Sequence, residues 1–311
     1  MRNKTIIILL FLWNVSFSQE EIGPGLHSEE LINFIYNNYK TNSVLSYADA
    51  RDTLYAKIDN NDNYVYGIYT NYSVELDQDE DPSVHLYENG MDCEHVWPQS
   101  MYEGTHPMKS DMHHLRPSKS NVNGSRGNKP FNEINDNSTN TWFWLNYQQS
   151  NIPQNNIDEY AESGSTAFEP REDRKGDIAR SMFYFYTIYT NEIDPSFFEN
   201  QKDVLYQWHS LDPVADHEIE RTWAIAEYQN NIPNPFILDS SLIERCYFYI
   251  EPEQGDVNLD GLIDVVDIVL LVNYILGLAE LNEESLIAAD IDNNNIINVV
   301  DVVSLINLIL R

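Results

Sequence analysis

Apolar residues recur at helical spacing in several stretches of the chain. Residues 29–38, 177–189 and 212–230 carry them three and four positions apart, which predicts amphipathic helices. Strand patterns are short and scattered, and residues 64–69 give the clearest one. Asn-rich stretches such as residues 151–156 predict loops. Helices and short strands without regular alternation indicate an α+β fold with long loops.

The beginning of the chain has a different pattern. Basic residues at Arg2 and Lys4 precede an apolar run over residues 6–13, which predicts a secretory signal peptide over residues 1–18. The run is too short for a membrane span, and no other stretch of the sequence approaches one. We therefore expect a protein that is secreted, periplasmic or held at the cell surface, with no membrane span.

The pattern changes again after residue 250, where a short polar joint leads into a segment dominated by Val, Ile, Leu, Asp and Asn. Residues 255–311 hold ten acidic residues and one basic residue. Composition therefore predicts a large domain over residues 19–250, a linker over residues 251–255 and a small domain over residues 256–311.

Two stretches of the small domain repeat one pattern. Residues 256–267 read DVNLDGLIDVVD, and residues 290–301 read DIDNNNIINVVD. Oxygen-bearing side chains recur at positions 1, 3, 5, 9 and 12 of each stretch, a spacing with which a twelve-residue loop wraps one Ca²⁺. The sequence therefore predicts two structural Ca²⁺ sites. Their ligands are Asp256, Asn258, Asp260, Asp264 and Asp267 in the first loop and Asp290, Asp292, Asn294, Asn298 and Asp301 in the second.

Other positions of the two loops fit the same pattern. Gly261 holds the tight-turn position of the first loop, and Asn295 holds it in the second, because asparagine also reaches the left-handed conformation. The apolar residue at position 8 would anchor each loop in the core. An apolar helix should follow each loop, at residues 268–276 and 302–310.

The small domain resembles a type I dockerin over its whole length. The resemblance implies an all-α calcium-binding fold with paired EF-hand-like loops, and a cohesin-like protein partner. Dockerins often carry hydroxyl side chains at loop positions 10 and 11, where this chain has Val265 and Val266, and again Val299 and Val300. That difference argues against a conventional cohesin as the partner.

The charge of the chain is uneven. The formal net charge is −32, which on its own argues against a polyanionic partner. Residues 91–131 depart from it, with five basic residues, four acidic residues and four of the eight histidines. A cleft built from this segment could hold a polyanion, so the overall charge does not exclude nucleic acid as a substrate.

This segment contains the residue types that phosphodiester hydrolysis needs. His95 can act as the base that activates water, because histidine titrates near neutral pH. Glu94 and an asparagine amide oxygen are hard ligands suited to Mg²⁺. Arg116 and Arg126 can donate paired hydrogen bonds to phosphate oxygens.

The local pattern predicts two strands and a helix around one ion. Glu94 and His95 should lie on the first strand, and residues 112–116 should form the second, ended by Pro117. Ser118 would cap the helix or turn that carries the amide and the second arginine. Two histidines in the second strand, at positions 113 and 114, would face opposite sides, so at most one of them should lie in the site.

Three stretches of this segment resemble the motifs of the bacterial endonuclease I family, whose site is a ββα-metal (His-Me) finger. They read EHVWPQS, KSDMHHLRP and NVNGSRGN, in the family's order and spacing, and the resemblance extends over roughly residues 31–249. It implies a Mg²⁺-dependent endonuclease, with Mn²⁺ as the alternative ion. The implied substrate is DNA, with RNA as the second candidate, cut with little sequence preference to leave 5′-phosphates.

The resemblance assigns roles to single residues. The general base falls on His95, and the metal ligands fall on Glu94 and Asn123. Arg126 falls on the family's arginine near the scissile phosphate, and His114 stands where many relatives have asparagine. Further candidates are Arg116 for catalysis and Lys119, Asn128 and Arg221 for substrate binding.

Two other classes of function stay open. A zinc hydrolase would use Cys93, His95, His113 or His114, although the chain has neither an HExxH motif nor paired cysteines. A non-enzymatic adhesion or scaffold protein would act through the calcium-binding tail and would leave nucleic acid intact. The metal that supports cleavage of nucleic acid separates these alternatives.

The two cysteines, Cys93 and Cys246, leave a structural alternative open. In an exported protein they could form a disulfide. The alternative is a pair of buried free thiols. The sequence favours neither.

Overall fold

The described part of the chain, residues 21–311, separates into two units at residue 248 in the computed structural model. The first unit ends at Phe248, two residues before the predicted end of the large domain, and the second, Tyr249–Arg311, contains the predicted linker and small domain. The predicted signal peptide, residues 1–18, lies outside the described residues. Within residues 21–311, no helix combines the length and the apolar character that crossing a membrane requires.

Helices make up most of the regular structure of the first unit. They are α1 (Ser28–Tyr39), α2 (Tyr47–Thr53), α3 (Pro82–Glu88), α4 (Ser120–Arg126), α5 (Lys175–Tyr189), α6 (Ser196–Glu199), α7 (Lys202–Leu211), α8 (Asp216–Ala226), α9 (Pro235–Leu238) and α10 (Leu242–Tyr247). α1 and α5 confirm the helices predicted at residues 29–38 and 177–189. α8 is shorter than the predicted helix at residues 212–230, because the Glu218 carboxylate accepts the Ala215 N–H at 3.1 Å and so caps the helix there.

Strands in the described residues are short and pair into antiparallel sheets. They are β1 (Asn60–Asn61), β2 (Tyr64–Tyr66), β3 (Ser73–Glu75), β4 (Met91–His95), β5 (Leu115–Lys119), β6 (Thr141–Trp144), β7 (Tyr147–Gln149), β8 (Ala161–Ser163) and β9 (Phe168–Glu169). The sheet orders are β1-β2-β3, β4-β5 and β7-β6-β8-β9. β2 covers only the first half of the strand predicted at residues 64–69, because the Gly67 N–H bonds to the Tyr72 carbonyl at 2.7 Å and the chain turns. Helices with separate antiparallel sheets confirm the α+β class.

α5 runs through the larger apolar core of the first unit, which we call the α5 core. Its side chains, such as Met182, Phe183 and Phe185, are fully buried. A helix buried on nearly all sides also buries its charges, and Arg180 is held by Glu218 through two contacts at 2.9 and 2.6 Å. Two-point pairing of this kind satisfies a guanidinium that has lost its water.

A second apolar core, which we call the β4 core, lies on the other face of β4. Met91 and Cys93 of β4 belong to it together with Leu115 of β5. Val96, which follows the strand, belongs to the α5 core. Because side chains alternate across a strand, Glu94 points away from the β4 core. The β4-β5 sheet is therefore a wall between two cores.

A buried carboxylate ties α5 to the turn that precedes β5. Asp111 Oδ2 accepts the hydroxyls of Tyr184 and Tyr189, both at 2.8 Å. Asp111 Oδ1 accepts from Gln229 Nε2 at 2.9 Å and from the His113 N–H at 3.1 Å. Four donors compensate this carboxylate for its burial, and they fix the turn against the α5 core.

The second unit is helical, with α11 (Val265–Ile275), α12 (Glu283–Ala289) and α13 (Val299–Ile309). α11 and α13 confirm the helices predicted at residues 268–276 and 302–310, but each begins three residues earlier. The reason is a side-chain cap, because Asp264 and Asn298 each accept the N–H two residues later, at 2.7 and 2.8 Å. α12 has no counterpart among the sequence predictions.

Candidate active site and calcium loops

The predicted first strand of the site is present as β4. In its antiparallel pairing with β5, Glu94 lies opposite Arg116 and His95 lies opposite Leu115. Residues opposite each other project to the same face of a sheet. Glu94 and Arg116 therefore share one face of the sheet, and His95 lies on the other. The side chains of Glu94 and His95 consequently have different neighbours.

The second strand lies three residues later than predicted. Residues Met112–His114 form a 3₁₀ turn instead, whose start is fixed by the Asp111 carboxylate. The prediction that Pro117 ends the strand is also wrong. The Pro117 carbonyl points away from β4, to the Ile68 N–H at 2.8 Å. The N and C=O groups of one strand residue point to the same side, so the Pro117 nitrogen also points away from β4. Its missing N–H therefore removes no hydrogen bond between β4 and β5.

The third part of the site is α4. The prediction that Ser118 caps it is wrong, because Ser118 lies within β5 opposite Asp92, and Lys119 occupies the N-cap position. Gly127 follows the helix with a φ of 53°, a left-handed conformation that glycine adopts at little cost. The order strand, strand and helix is nevertheless the predicted one.

α4 presents Asn123 and Arg126 to β4. Asn123 Nδ2 donates to the Cys93 carbonyl at 3.3 Å. The buried Arg126 donates from Nη1 to the His95 carbonyl at 3.1 Å and from Nη2 to the carbonyl of the following residue. Its Nη1 also lies 3.3 Å from Glu94 Oε1. Arg126 thereby joins the helix to the strand backbone and to the Glu94 carboxylate.

The His95 imidazole lies at the end of β4 and is 7% exposed. Its Nε2 lies 3.2 Å from the Lys109 carbonyl oxygen. A carbonyl only accepts, so Nε2 carries the proton and Nδ1 is the basic nitrogen. The ring centres of Tyr47 and His114 lie 5.3 and 5.5 Å from that of His95. Burial, and then the neighbouring His114, lower the pKa of His95 to about 3.

Glu94 is buried beside two donors. Its Oε1 accepts the Tyr69 hydroxyl at 2.7 Å and lies 3.3 Å from Arg126 Nη1. Burial raises the pKa of Glu94, while Arg126 and Tyr69 favour its charged form. Within the described residues both contacts fall on Oε1, which leaves Oε2 for a cation. Because the nitrogen of Asn123 faces the Cys93 carbonyl, its oxygen faces away, and these two oxygens are hard donors that fit Mg²⁺ or Mn²⁺.

The predicted substrate-binding residues near α4 lie at the surface. Lys119 Nζ donates to Asn146 Oδ1 at 2.6 Å and lies over the Tyr72 ring at 5.0 Å. Asn128 is exposed in the turn after α4. Their contact with substrate stays a prediction.

Arg116 and Arg221 lie together behind β5. Arg116 Nη2 is 3.5 Å from Asp177 Oδ1. Arg221 is held by both carboxylate oxygens of Asp59, at 2.6 and 3.0 Å, and donates to the Leu115 carbonyl at 2.7 Å. Arg221 therefore braces β5, and the predicted roles of both arginines toward substrate stay predictions.

The two adjacent histidines have different surroundings. They do not lie on a strand as predicted, because both belong to the 3₁₀ turn. His113 Nε2 lies 3.0 Å from the Ile232 carbonyl. The His114 ring packs 4.3 Å from the ring centre of Phe185 and beside His95. Of the two, His114 is thus the one that lies at the candidate site.

We expect acid to destabilise the first unit through His114. Its Nε2 donates to the Met108 carbonyl at 2.7 Å, and its Nδ1 has no partner among the described residues. Burial, opposed by Asp111, lowers the pKa of His114 to about 4. As the pH falls, the unfolded chain therefore binds the proton first. The free energy of unfolding should fall by roughly 3 kcal/mol between pH 6.5 and pH 4 and be unaffected by this group above that range.

Urea unfolding at pH 7.5 and pH 4.5 measures this loss. His114→Phe keeps an aromatic ring against Phe185 and removes the titrating group. The difference in unfolding free energy between the two pH values should be about 2 kcal/mol smaller in the variant than in the wild type. An equal difference in both proteins would contradict the assignment.

Cys93 and Cys246 are both free and buried. Cys93 lies in the β4 core and Cys246 in the α5 core. Burial raises the pKa of both thiols to about 12, which disfavours the thiolate that zinc binds. Among the described residues, the groups of three metal-ligating side chains include neither Cys93 nor His95. The structure thus lends no support to a zinc site at β4.

Both predicted calcium loops fold around acidic side chains. Asp256 accepts the N–H groups at loop positions 5 and 6, at 3.1 and 2.9 Å, and Asp290 does the same in the second loop, at 3.1 and 2.7 Å. Asp267 and Asp301 each accept the N–H at loop position 9, at 2.8 and 2.9 Å. Equivalent residues thus make equivalent bonds in the two loops.

The turn geometry of the loops agrees with the sequence prediction. Gly261 and Asn295 have φ values of 83° and 62°, so both tight-turn positions are left-handed. In the second loop, carboxylate oxygens of Asp290, Asp292 and Asp301 lie within 4.8 Å of one another, close enough to share one cation. A site of carboxylate and amide oxygens fits Ca²⁺, and the ligand roles of the single residues stay predictions.

The helices that follow the loops expose apolar side chains at equivalent positions. Val265 and Val266 are 63% and 51% exposed, and Val299 and Val300 are 66% and 50% exposed. These are the positions at which the chain differs from the hydroxyl pattern of dockerins. Repeated exposed apolar residues mark a candidate contact surface for a protein.

A two-stranded sheet and a helix that converge on a glutamate, a histidine and an arginine define the finger-type nuclease class that the motifs implied. Residues 27–241 match the endonuclease I family. Residues 254–310 match the dockerin type I domain. The chain belongs to the endonuclease I family and carries a type I dockerin domain.

Curated relatives of this chain include two proteins named extracellular ribonuclease. The protein from Bacillus subtilis (strain 168) is 33% identical over 162 residues, and the protein from Bacillus amyloliquefaciens is 33% identical over 160 residues. Each alignment covers 46% of this chain and 49% of the relative. The chain thus spans about half the length of the curated relatives it matches.

Proposed function

We propose that this protein is a secreted, divalent-metal-dependent endonuclease that hydrolyses phosphodiester bonds of both DNA and RNA with little sequence preference. The observation that carries the proposal is the position of Arg126, which bonds to the β4 backbone at His95 and contacts the Glu94 carboxylate. Membership in the endonuclease I family supports it, and the names of the Bacillus relatives support RNA as a substrate.

His95 is the general base in this proposal. The Lys109 carbonyl holds the proton on Nε2, so Nδ1 faces the reaction and takes the proton of the attacking water. Water attacks the phosphorus, and the 3′-oxygen leaves with the electron pair of its bond to phosphorus and takes a proton from solvent. The products therefore carry 5′-phosphates and 3′-hydroxyls. The 2′-hydroxyl of RNA has no part in this step, so the chemistry is the same for DNA and RNA.

Glu94 and Asn123 would hold Mg²⁺ or Mn²⁺ through Oε2 and the amide oxygen. When bound there, the cation supplies positive charge at the scissile phosphate and the leaving oxygen. Arg126 Nε is buried and has no hydrogen-bond partner among the described residues. We assign it to a phosphate oxygen, where a charged donor stabilises the developing negative charge.

Cleavage of supercoiled plasmid and of a defined RNA tests the proposal. Both should be cut in Mg²⁺ and spared in EDTA, and the RNA fragments should carry 5′-phosphates. Restoration by Zn²⁺ in place of Mg²⁺ would favour the zinc hydrolase, and intact nucleic acid under all conditions would favour a scaffold protein. RNA fragments with 2′,3′-cyclic phosphates would exclude water as the nucleophile.

For the dockerin domain we propose calcium-dependent docking to a cohesin-like protein. The exposed valines at positions 10 and 11 of both loops support an apolar contact surface. Calorimetric titration with a cohesin-like domain, with and without EGTA, tests this role. An affinity that does not depend on Ca²⁺ would speak against it.

A further inference from the structure

A cavity of about 540 Å³ opens behind β5 in the first unit. Its floor is formed by the buried side chains of Arg116, Asp177 and Arg221. Tyr66, which is 39% exposed, lies at its mouth together with the exposed Asn71. A volume of this size suits a small organic ligand or one unit of a polymer.

Two polar atoms of the residues that line the cavity have no hydrogen-bond partner among the described residues. Arg116 Nε and Asp177 Oδ1 are buried and make no hydrogen bond within the described residues. Arg116 Nη2 and His217 Nε2 each lie 3.5 Å from Asp177 Oδ1, which is too long for a good hydrogen bond. Buried polar groups normally find partners, so a ligand whose polar edge reaches this donor and this acceptor would satisfy both.

Both groups are charged at neutral pH. Burial alone would raise the pKa of Asp177, but His217, Arg116 and Arg174 outweigh it and hold that pKa well below its ordinary value. Burial, and then the neighbouring Arg221, lower the pKa of Arg116 to about 10, and the guanidinium stays cationic. The floor therefore presents a charged donor beside a charged acceptor.

The charges around this pair disfavour a phosphate as the ligand. Arg221 is already neutralised by Asp59 through two contacts. Arg174 Nη1 lies 3.6 Å from Asp177 Oδ2, so its charge is also opposed by a carboxylate. A neutral group with a donor beside an acceptor fits better, and the edge of a nucleobase has this pattern.

The lining of the cavity includes one tyrosine, Tyr66. Tyr66 presents an exposed ring at the mouth, and a nucleobase of any sequence can stack on an aromatic face. Arg116 lies opposite Glu94 in the β4-β5 ladder. The floor of the cavity is thus one strand away from the candidate metal ligand.

We propose that this cavity is a nucleobase subsite, which rests on the proposed nuclease function. It takes a base next to the scissile phosphodiester, stacks it on Tyr66 and bonds its edge to Arg116 Nε and Asp177 Oδ1. The subsite lends affinity for the strand without contributing to the chemical step.

Steady-state cleavage of short DNA and RNA oligonucleotides by the full chain tests the subsite. Tyr66→Ala should raise KM about tenfold, because one stacking contact is lost, and should leave kcat within about twofold. Tyr66→Trp should restore KM. The effect on bis(p-nitrophenyl) phosphate, a diester without a base, should be at least about fivefold smaller than the effect on oligonucleotides.

Tyr64→Ala is the matched control. Tyr64 lies on the same strand as Tyr66, is 36% exposed and donates its hydroxyl to Glu75, but it does not line the cavity. This variant should have the wild-type KM for oligonucleotides. An equal rise in KM for Tyr64→Ala and Tyr66→Ala would overturn the subsite.

Binding of a labelled oligonucleotide in EDTA, followed by fluorescence anisotropy, separates the subsite from catalysis. Weaker binding by Tyr66→Ala supports the subsite even if the wild-type protein cleaves nothing, in which case the proposed function alone has failed. Equal binding and equal KM in Tyr66→Ala and wild type overturn the subsite and leave the nuclease proposal standing. Competition by inorganic phosphate but not by nucleosides also overturns it.

Discussion

Replacing His95 with alanine should lower the rate of phosphodiester hydrolysis in Mg²⁺ by about 10²–10⁴-fold, which is the usual contribution of a general base. The Lys109 carbonyl oxygen lies 3.2 Å from Nε2 of His95 and accepts its hydrogen bond. The alanine variant therefore tests the role of Nδ1, the nitrogen assigned as the base. Single-turnover cleavage of plasmid and RNA gives the rate. Added imidazole should restore part of the rate in the variant, because it can supply the missing base.

His106→Ala is the control for this experiment. His106 lies in the same segment, but it is exposed and contacts the Ser110 hydroxyl at 3.3 Å. The His106→Ala variant should cleave plasmid and RNA at a rate within about twofold of the wild-type rate. Circular dichroism should show the wild-type fold in both variants. If His95→Ala, correctly folded, cleaves as fast as wild type, the assignment of the base is wrong.

Withdrawing calcium should unfold the second unit. Each site saturated at 1,000 times its Kd stabilises the folded state by about 4 kcal/mol, so two sites contribute about 8 kcal/mol. Without the ion, the clustered oxygens of Asp290, Asp292 and Asp301, within 4.8 Å of one another, repel each other. Calorimetry of the full chain should show one transition that moves to a much lower temperature in EGTA.

The choice of chelator separates the two metals. EGTA in excess Mg²⁺ removes calcium alone, so it should shift the transition of the second unit and leave the nuclease rate unchanged. EDTA should remove both. Glu284→Gln is the control variant, because Glu284 is an exposed acid of α12 outside the loops. The thermal transition of its second unit should shift in EGTA as the wild-type transition does. A transition of the second unit that ignores EGTA would contradict the calcium sites.

The features that the sequence predicted well are local ones. Each predicted calcium loop spans only twelve consecutive residues, and the left-handed turns at Gly261 and Asn295 follow from residue type. The finger is nearly as local, because β4, β5 and α4 lie between residues 91 and 126. Short sequence separations leave the chain few alternative arrangements, so motif spacing was enough to predict the order strand, strand and helix.

The features that the sequence did not predict depend on distant contacts. Tyr69 reaches Glu94 from a loop after β2, and the partner of His95 is a backbone carbonyl, that of Lys109, which no side-chain motif reveals. The start of β5 was misplaced because Asp111 is held by hydroxyls of α5.

The cavity behind β5 is still harder to predict from the sequence, because it depends on more contacts between distant residues. Its walls come from four separate parts of the chain, near residues 57–71, 116–117, 174–177 and 217–224. Nothing in the spacing of these residues marks them as neighbours. Only the packing of α5 and α8 against β5 brings Arg116 and Asp177 together.

The wall formed by β4 and β5 also protects the site against misalignment. A slip of one residue in their pairing would exchange the two faces of the strand. Met91 and Cys93 would then leave the β4 core, and Glu94 would enter it as a buried charge without Arg126 or Tyr69. Such a slip would cost energy on both faces at once, so the packing of the two cores fixes the alignment of the candidate catalytic residues. Substitutions in either core that tolerate slippage should lower the fraction of correctly assembled protein.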